Sequence, residues 1–243
     1  MLRDDLRGIF YIALKDMRTY YLKPPSVSWG IVFPLAWTLA FYLRNPADFG
    51  ELVPGLIAMT VLFSTTAAEA VVINFEMRIG AIERLLLAPV SLPSVLMGKV
   101  IGGALFGLMM SAIITVSSVM LLGLTPNFFL LALIIIPSLL AFSALGSLLC
   151  VTVKEIFEAQ TLLNFPRFIM VFLCGVVYPV SAMPEALRYI AYMMPLTYTV
   201  EGVRLSISVG LNMIILRDAL VLVVFFLIFA LSAMKLFAKK VKA

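Results

Sequence analysis

The chain has 243 residues, of which 63% are hydrophobic and 13% charged, with a formal net charge of +5 and a mean hydropathy of +1.11. A water-soluble domain carries about a quarter charged residues, so this composition excludes one and points to an integral membrane protein. There is no His, which removes the commonest metal ligand, the usual base near neutral pH and any Ser/His/Asp or Cys/His catalytic set.

Residues 1–23 come first and form no span. Leu6, Phe10, Met17, Tyr20 and Tyr21 recur near helical spacing, while Arg3, Arg7, Lys15 and Arg18 fall mostly elsewhere. That pattern predicts an interfacial helix lying on the inner leaflet, serving as a topology anchor or as a brace for a partner contact. Pro24-Pro25 is expected to end it and turn the chain into the first span. A cleavable signal peptide is not expected, because this charged stretch precedes the first apolar run and no small-residue cleavage site follows.

Six apolar runs follow, at 26–43, 52–75, 95–122, 128–152, 160–179 and 215–236. Lipid admits only helices and closed barrels, and runs of about 17–28 residues fit helices, where a barrel strand takes about 9–11. The expected fold is an all-α membrane protein of six transmembrane helices in one domain, 1–243. Fourteen of the eighteen basic residues fall in the N-terminal segment, the gaps at 76–94 and around Lys99, Lys154 and Arg167, and the C-terminal tail. The opposite side holds Arg44, Arg188, Arg204 and Arg217. The excess places both termini in the cytoplasm. The positive charge speaks to anionic lipid headgroups; no aromatic-interleaved basic patch suggests nucleic acid.

The gap after the second run is the most specific local feature: Asn74-Phe75-Glu76-Met77-Arg78-Ile79-Gly80-Ala81-Ile82-Glu83-Arg84-Leu85-Leu86-Leu87-Ala88-Pro89-Val90. Gly80 permits a sharp break, residues 81–87 suit two helical turns, and Pro89 stops them. Ile82, Leu85 and Leu86 would share one face beside Glu83 and Arg84. Such a helix docks into a groove on another protein or lies against headgroups.

The run Glu76 to Pro89 resembles the pattern after the second span in type-2 permease subunits of ATP-binding-cassette exporters. Gly175-Val176-Val177-Tyr178-Pro179, Met183-Pro184, the stretch Arg188 to Tyr198 with Pro195, and Glu201-Gly202-Val203-Arg204 resemble that family's last external loop. Ala81 stands where the family often has a hydroxyl residue, and Met194 where Asn commonly precedes Pro. The resemblance implies a half-transporter: two permease chains forming the pathway, driven by two cytoplasmic ABC ATPase subunits. It implies that Gly80, Ile82, Glu83, Arg84, Leu85 and Leu86 form the ATPase-coupling helix within the coupling loop 76–94. It also implies that Pro179, Pro184, Pro195 and Tyr198 belong to an external gate of re-entrant helices within 180–209. The alternative for that segment is a pair of amphipathic helices resting on the outer leaflet.

No phosphate-binding loop is present: Gly98-Lys99 is followed by Val100, and Pro93 stands at the first Gly position. No cofactor is expected in this chain, so ATP and Mg would sit on the partner. Within the spans, Glu69 is an isolated carboxylate that either lines a substrate entrance or pairs with Arg78 or Arg84 among headgroups. Gly98, Gly102, Gly103, Gly107 and Ser111 repeat at small-residue spacing, which suits packing within the protomer, a dimer seam or a pathway wall. Cys150 and Cys174 read as buried apolar residues. Pro34 and Pro137 are expected to kink their spans, and Trp29, Trp37 and Tyr42 to mark interface levels or face a lipid-like substrate. The expected function is the permease of an ATP-driven exporter of an amphipathic drug, lipid or glycan. An ATP-independent channel or ion-coupled carrier, and a membrane anchor for a cytoplasmic protein, are the alternatives.

Overall fold

The computed structural model describes residues 2–44, 49–153, 155–208 and 212–242. Readings that rest on Lys154, or on the side chains of Arg3, Trp29, Trp37, Tyr42, Arg44, Glu83, Leu86 and Lys242, lie outside the described residues. Among the described residues the fold is entirely helical: α1 (Leu2–Asp16), α2 (Pro24–Arg44), α3 (Phe49–Arg78), α4 (Ala81–Leu86), α5 (Leu92–Leu122), α6 (Phe128–Thr152), α7 (Ile156–Leu173), α8 (Glu185–Tyr192), α9 (Pro195–Ser208) and α10 (Met213–Lys242). A π-helical segment, Met17–Tyr21, continues α1, and a single 3-10 turn, Val180–Ala182, precedes α8.

Local chemistry sets the boundaries. Pro24 does not end the first helix; it opens α2, where its missing N–H costs nothing. Gly80 takes a left-handed conformation at φ 67°, which turns α3 into α4. Pro93 lies in the first turn of α5, and Gly123 closes that helix at φ 64°. Asn127 caps α6 by accepting from the N–H groups of Phe129 and Leu130 at 3.1 and 3.3 Å. The expected fifth run, 160–179, is shifted: α7 begins at Ile156, where the Glu155 N–H donates to Glu158 at 3.4 Å, and stops at Leu173. Just beyond, Gly175 adopts φ +83°, which no continuing helix allows.

Among the described residues, four helices are long and apolar enough to cross a membrane: Gly50–Arg78, Leu92–Met120, Phe128–Thr152 and Met213–Lys240. Two expected spans, α2 and α7, are not among them. Helix α7 carries Glu158, Asn164, Pro166 and Arg167 within eighteen residues. Helix α3 is central, packed against α2, α5, α6, α7 and α9, and its apolar window is wholly buried. Its hydroxyls satisfy themselves: Thr60, Ser64, Thr65 and Thr66 each donate to a carbonyl one turn back. Helix α10 lies against α6 and α9 at the periphery, with 28% of its window buried. The main core joins Val53, Ile57 and Leu62 of α3 to Ile134, Leu139 and Phe142 of α6 and to Leu196 and Val203 of α9.

The small residues of α5 resolve into packing within the chain. A side chain on Gly98 would strike Ile12, one on Gly102 Tyr21, one on Gly103 Glu69 and Ser143, and one on Gly107 Thr65 and Leu139. The closest approach to another stretch of backbone is at Gly55, where an added Cβ would lie 2.5 Å from the Val176 carbonyl oxygen. A Gly55→Val substitution is therefore expected to lower stability by about 1–3 kcal/mol, read as a lower melting temperature in detergent. Gly50→Ala, where nothing lies within 4 Å, is the neutral comparison.

Two basic residues assigned to gaps prove to be buried within helices. Lys99 lies in α5 and Arg167 in α7. Both lie inside the expected runs 95–122 and 160–179: Lys99 is met by two carboxylates, Arg167 by the neutral oxygens of Thr66 and Asn164. Removing them from the count leaves the basic excess on the same side. Both termini share that end of the bundle, where Lys240 of α10 donates to the carbonyls of Val151 and Val153 at the C-terminus of α6.

Candidate functional site

The basic end presents a continuous edge built from α1, α4 and the segment that follows it. Helix α1 has two apolar faces. Leu6, Phe10 and Tyr11 point outward, each more than 60% exposed, whereas Ile12, Ala13 and Asp16 turn into the bundle against α5. Leu6 and Phe10 fit the interfacial pattern expected from sequence, but Tyr21, expected on the same face, is fully buried, with Met17 and Tyr20 packed beside it; the inward face escaped notice because it carries an acid. Gly8 lets α1 approach Val90 closely, since an added Cβ would lie 2.8 Å from a Val90 methyl.

Asp5 ties α1 to the start of α5 by accepting the Ser91 N–H at 2.8 Å. That bond, with the Ser91 and Ser94 hydroxyls, holds the Asp5 carboxyl below its ordinary value of 3.8. A depressed carboxylate contributes stability above its unfolded value and loses it as pH falls through the folded one. Amide exchange at Ser91 is accordingly expected to rise below pH 3.8, and to be raised at neutral pH in Asp5→Ala.

Beneath this edge lies a four-charge cluster. The Lys99 ammonium donates to Glu76 Oε2 at 2.5 Å and to Asp16 Oδ2 at 3.3 Å. Lys15 bonds Glu76 Oε1 and lies 3.0 Å from Asp16 Oδ1. Lys99, Asp16 and Glu76 are fully buried, while Lys15 is partly open to solvent. Burial pushes the Asp16 carboxyl above its ordinary value, with Lys99 and Lys15 opposing that rise. Two cations and two carboxylates thus clamp α1 onto α3 and α5.

The predicted coupling residues separate by exposure. Ile82 is turned inward, packed with Ile73, Leu96, Leu163 and Phe237. Leu85 is half-buried, Arg84 is exposed, and Leu87, just beyond α4, is 88% exposed. Gly80 forms the bend. The shared apolar face of Ile82, Leu85 and Leu86 is therefore not presented outward as a unit: Ile82 belongs to the core. Leu85, Ala88, Pro89 and Val90, with Tyr11 and Lys15 of α1, line an open groove of about 490 Å³.

Glu69 lies apart from this edge. Its oxygens accept from Ser143 at 2.8 Å and Ser147 at 3.1 Å, both on α6, and it is fully buried. It does not pair with Arg78 or Arg84, which corrects that expectation; Arg78 instead faces Glu155 at 3.9 Å. The reason is the depth of α3: the helix continues nine residues beyond Glu69, with α6 serines waiting at its side. Cys150 and Cys174 are buried and unpaired. Among the described residues no cluster of His, Cys, Asp or Glu could hold a metal ion.

At the far end, Pro179 precedes the 3-10 turn and lines a cavity of about 220 Å³ with Cys174, Tyr192, Thr197, Glu201 and Arg204. Pro184 opens α8, Pro195 begins α9 and is buried, and the Tyr198 hydroxyl donates to the Tyr192 carbonyl at 2.8 Å. These bonds fold α8 back on α9 as one compact hairpin. Helix α8 has eight residues, and Met193 and Met194 form the turn before Pro195.

The family profile of the ABC-2 type transporter matches residues 7–208, from α1 through α9. The chain belongs to that family. It is a multi-pass membrane protein, and its relatives are named as transport permeases. It is 27% identical over 173 residues to "Probable multidrug ABC transporter permease YbhS" of Escherichia coli, an alignment covering 69% of this chain and 46% of the relative. It is 27% identical over 209 residues to "Putative transport permease ycf38" of Cyanophora paradoxa, covering 76% and 69%. It is 28% identical over 185 residues to "Inner membrane transport permease YadH" of Escherichia coli, covering 74% and 71%. The chain thus spans about half the length of YbhS and about 70% of the other two.

Proposed function

We propose that this chain is the permease subunit of an ATP-driven exporter, working as a dimer with a separate cytoplasmic ABC ATPase. The observation that carries this reading is the family match over residues 7–208 together with an exposed, braced edge at α4. The sequence itself holds no phosphate-binding loop, so ATP and Mg belong on the partner chain.

In this reading α2, α3, α5, α6, α7 and α10 are six spans, both termini are cytoplasmic, and α1 rests on the inner leaflet with Leu6, Phe10 and Tyr11 in lipid. The basic excess at the end shared by α1 and the α10 terminus supports that orientation. Helices α8 and α9 form the external re-entrant hairpin; α8 is only about 12 Å long at the usual helical rise, too short to cross.

The ATPase contacts α4 through Arg84, Leu85 and Leu87, and ATP-driven closure of the ATPase pair displaces that edge. The clamp formed by Asp16, Glu76, Lys99 and Lys15 makes α1, α3 and α5 move together, so a push on α4 reaches the centre of the bundle. Two bistable permease halves then exchange inward- and outward-open arrangements. The cargo is an amphipathic drug, a lipid or a glycan; the first relative's name carries the word multidrug.

The test is ATP-dependent accumulation of a fluorescent amphiphile in inverted vesicles containing the chain and its ATPase. Uptake that needs ATP and both chains is the expected result. Uptake by the chain alone, indifferent to ATP, would move the protein into the class of channels or ion-coupled carriers.

A further inference from the structure

Among the described residues, one buried cation has no carboxylate partner. Arg167 of α7 is 3% exposed, yet its two hydrogen bonds go to neutral groups: Nε donates to Thr66 Oγ1 at 2.7 Å and Nη1 to Asn164 Oδ1 at 3.1 Å. Nη2 is buried with no partner among the described residues. The guanidinium stacks over the Phe63 ring at 5.3 Å. Glu69, one turn along α3 from Thr66, spends both its oxygens on α6 serines instead. The contrast with Lys99, neutralised by two carboxylates in the same protein, is direct. A cation held in an apolar bundle by neutral acceptors, with one donor idle, is costly as a purely structural device.

Its surroundings point to what the idle donor is for. Phe63 belongs to a cluster with Phe33 and Phe168, at centroid distances of 4.5 and 6.3 Å. Phe168 follows Arg167 directly and is 37% exposed, and it continues outward into Phe165 and Phe172, 71% and 54% exposed on the same helix. Pro166 precedes Arg167 inside α7 and removes the N–H that would bond the carbonyl four residues back. The helix can therefore bend beside the charge at little loss of hydrogen bonding.

We propose that Arg167, with Phe33, Phe63 and Phe168, is a recognition site for the anionic head of an amphiphile: a carboxylate, sulfonate or phosphate with an apolar body. The rings take the apolar part and the guanidinium fork takes the anion, which enters from the aromatic face of α7 as that helix bends at Pro166. The site deepens the transport reading above by assigning the charge of its cargo, and it rests on that reading. The same chemistry is offered by a free solute and by an anionic lipid.

The test is equilibrium binding of two fluorescent probes of equal chain length, a dansyl-labelled fatty acid and a dansyl-labelled quaternary amine. The protein sits in phosphatidylcholine nanodiscs without ATP. Wild type is expected to prefer the acid. In Arg167→Gln the acid should weaken about tenfold or more, the scale of a lost hydrogen bond to a charged group, with the amine unchanged. Equal weakening of both probes, or an unaltered acid affinity in a folded variant, would overturn the proposal. Should Arg167→Gln fail to fold, Arg167→Lys decides: it keeps the charge without the fork, so weaker acid binding with unchanged amine binding supports the site, and unchanged binding of both overturns it. Phosphatidylglycerol in the nanodisc separates the sources. Competition with the acid in wild type but not in Arg167→Gln assigns the site to lipid headgroups, and its absence assigns the site to a free solute. Because no ATP turnover enters the readout, a failure of ATP-driven uptake with headgroup preference intact would sink the transport reading alone.

Discussion

Replacing Lys99 with Met is expected to destabilise the folded protein by about 3–5 kcal/mol, the scale measured when one partner of a buried ion pair is removed. Lys99 is the only fully buried cation in the cluster and touches both Asp16 and Glu76. Without it, two buried carboxylates share Lys15 alone, which is partly exposed and screened by solvent. The loss should depend on pH. Burial already lifts the Asp16 carboxyl, and Lys99 is the strongest opposing influence. In Lys99→Met that rise is larger, and a carboxyl raised in the folded state contributes stability at low pH and loses it as pH climbs through the folded value. The deficit should therefore be smaller near pH 5 than near pH 8. Thermal melting in detergent across that range checks this. A variant as stable as wild type at pH 8 would mean that the four charges do not act as a clamp. Adding Glu76→Gln to Lys99→Met should recover part of the loss, since it removes one of the stranded charges.

Reversing the outward surface of α4 with Arg84→Glu and Leu87→Glu is expected to abolish coupling while leaving the fold intact. Both side chains are exposed, so the melting temperature should move little; surface changes of this kind stay within about 0.5 kcal/mol. At a docking surface the same two changes remove an arginine and an apolar contact from a small patch. Affinity for the ATPase should fall by about 2 kcal/mol or more, roughly thirtyfold. ATP-driven uptake would fall with it. Normal uptake by a folded double variant would place the ATPase contact elsewhere on the basic end, with the groove between α1 and Val90 as the next surface to probe.

Hydropathy located α3, α5, α6 and α10 because each is apolar over a run long enough to cross a membrane, whether that surface is buried, as in α3, or largely exposed, as in α10. The bounds of α6 agree with the apolar run 128–152, where Asn127 supplies a local cap. Helix α7 was less legible, because its charged and polar residues interrupt the run that hydropathy follows. The small-residue stripe of α5 correctly suggested close packing within the chain, but spacing could not say that α1 was the partner at Gly98 and Gly102.

The charged cluster was missed for a physical reason. Sequence treats each charge singly, and Lys99 and Glu76 look like loop residues at the edges of spans until a third segment covers them. The available signal was Asp16, which falls seven and four residues after Ile9 and Ile12 on the inward face of α1, together with Lys99 set between Leu96 and Val100. An acid on an apolar helical face and a base inside an apolar run are a candidate pair. Arg167 was missed in the same way. For α4, helical spacing grouped Ile82 with Leu85 and Leu86, but which side of a two-turn helix faces the bundle is decided by the bend at Gly80, which the spacing does not contain.

The most direct measurement is purification of the chain from its native membrane in mild detergent, with identification of the proteins that accompany it. The account predicts an ATPase subunit carrying a phosphate-binding loop, retained by wild type and released by the Arg84→Glu, Leu87→Glu variant at unchanged melting temperature. A folded, oligomeric chain that brings no ATPase with it would contradict the proposal that this permease is driven from outside its own sequence.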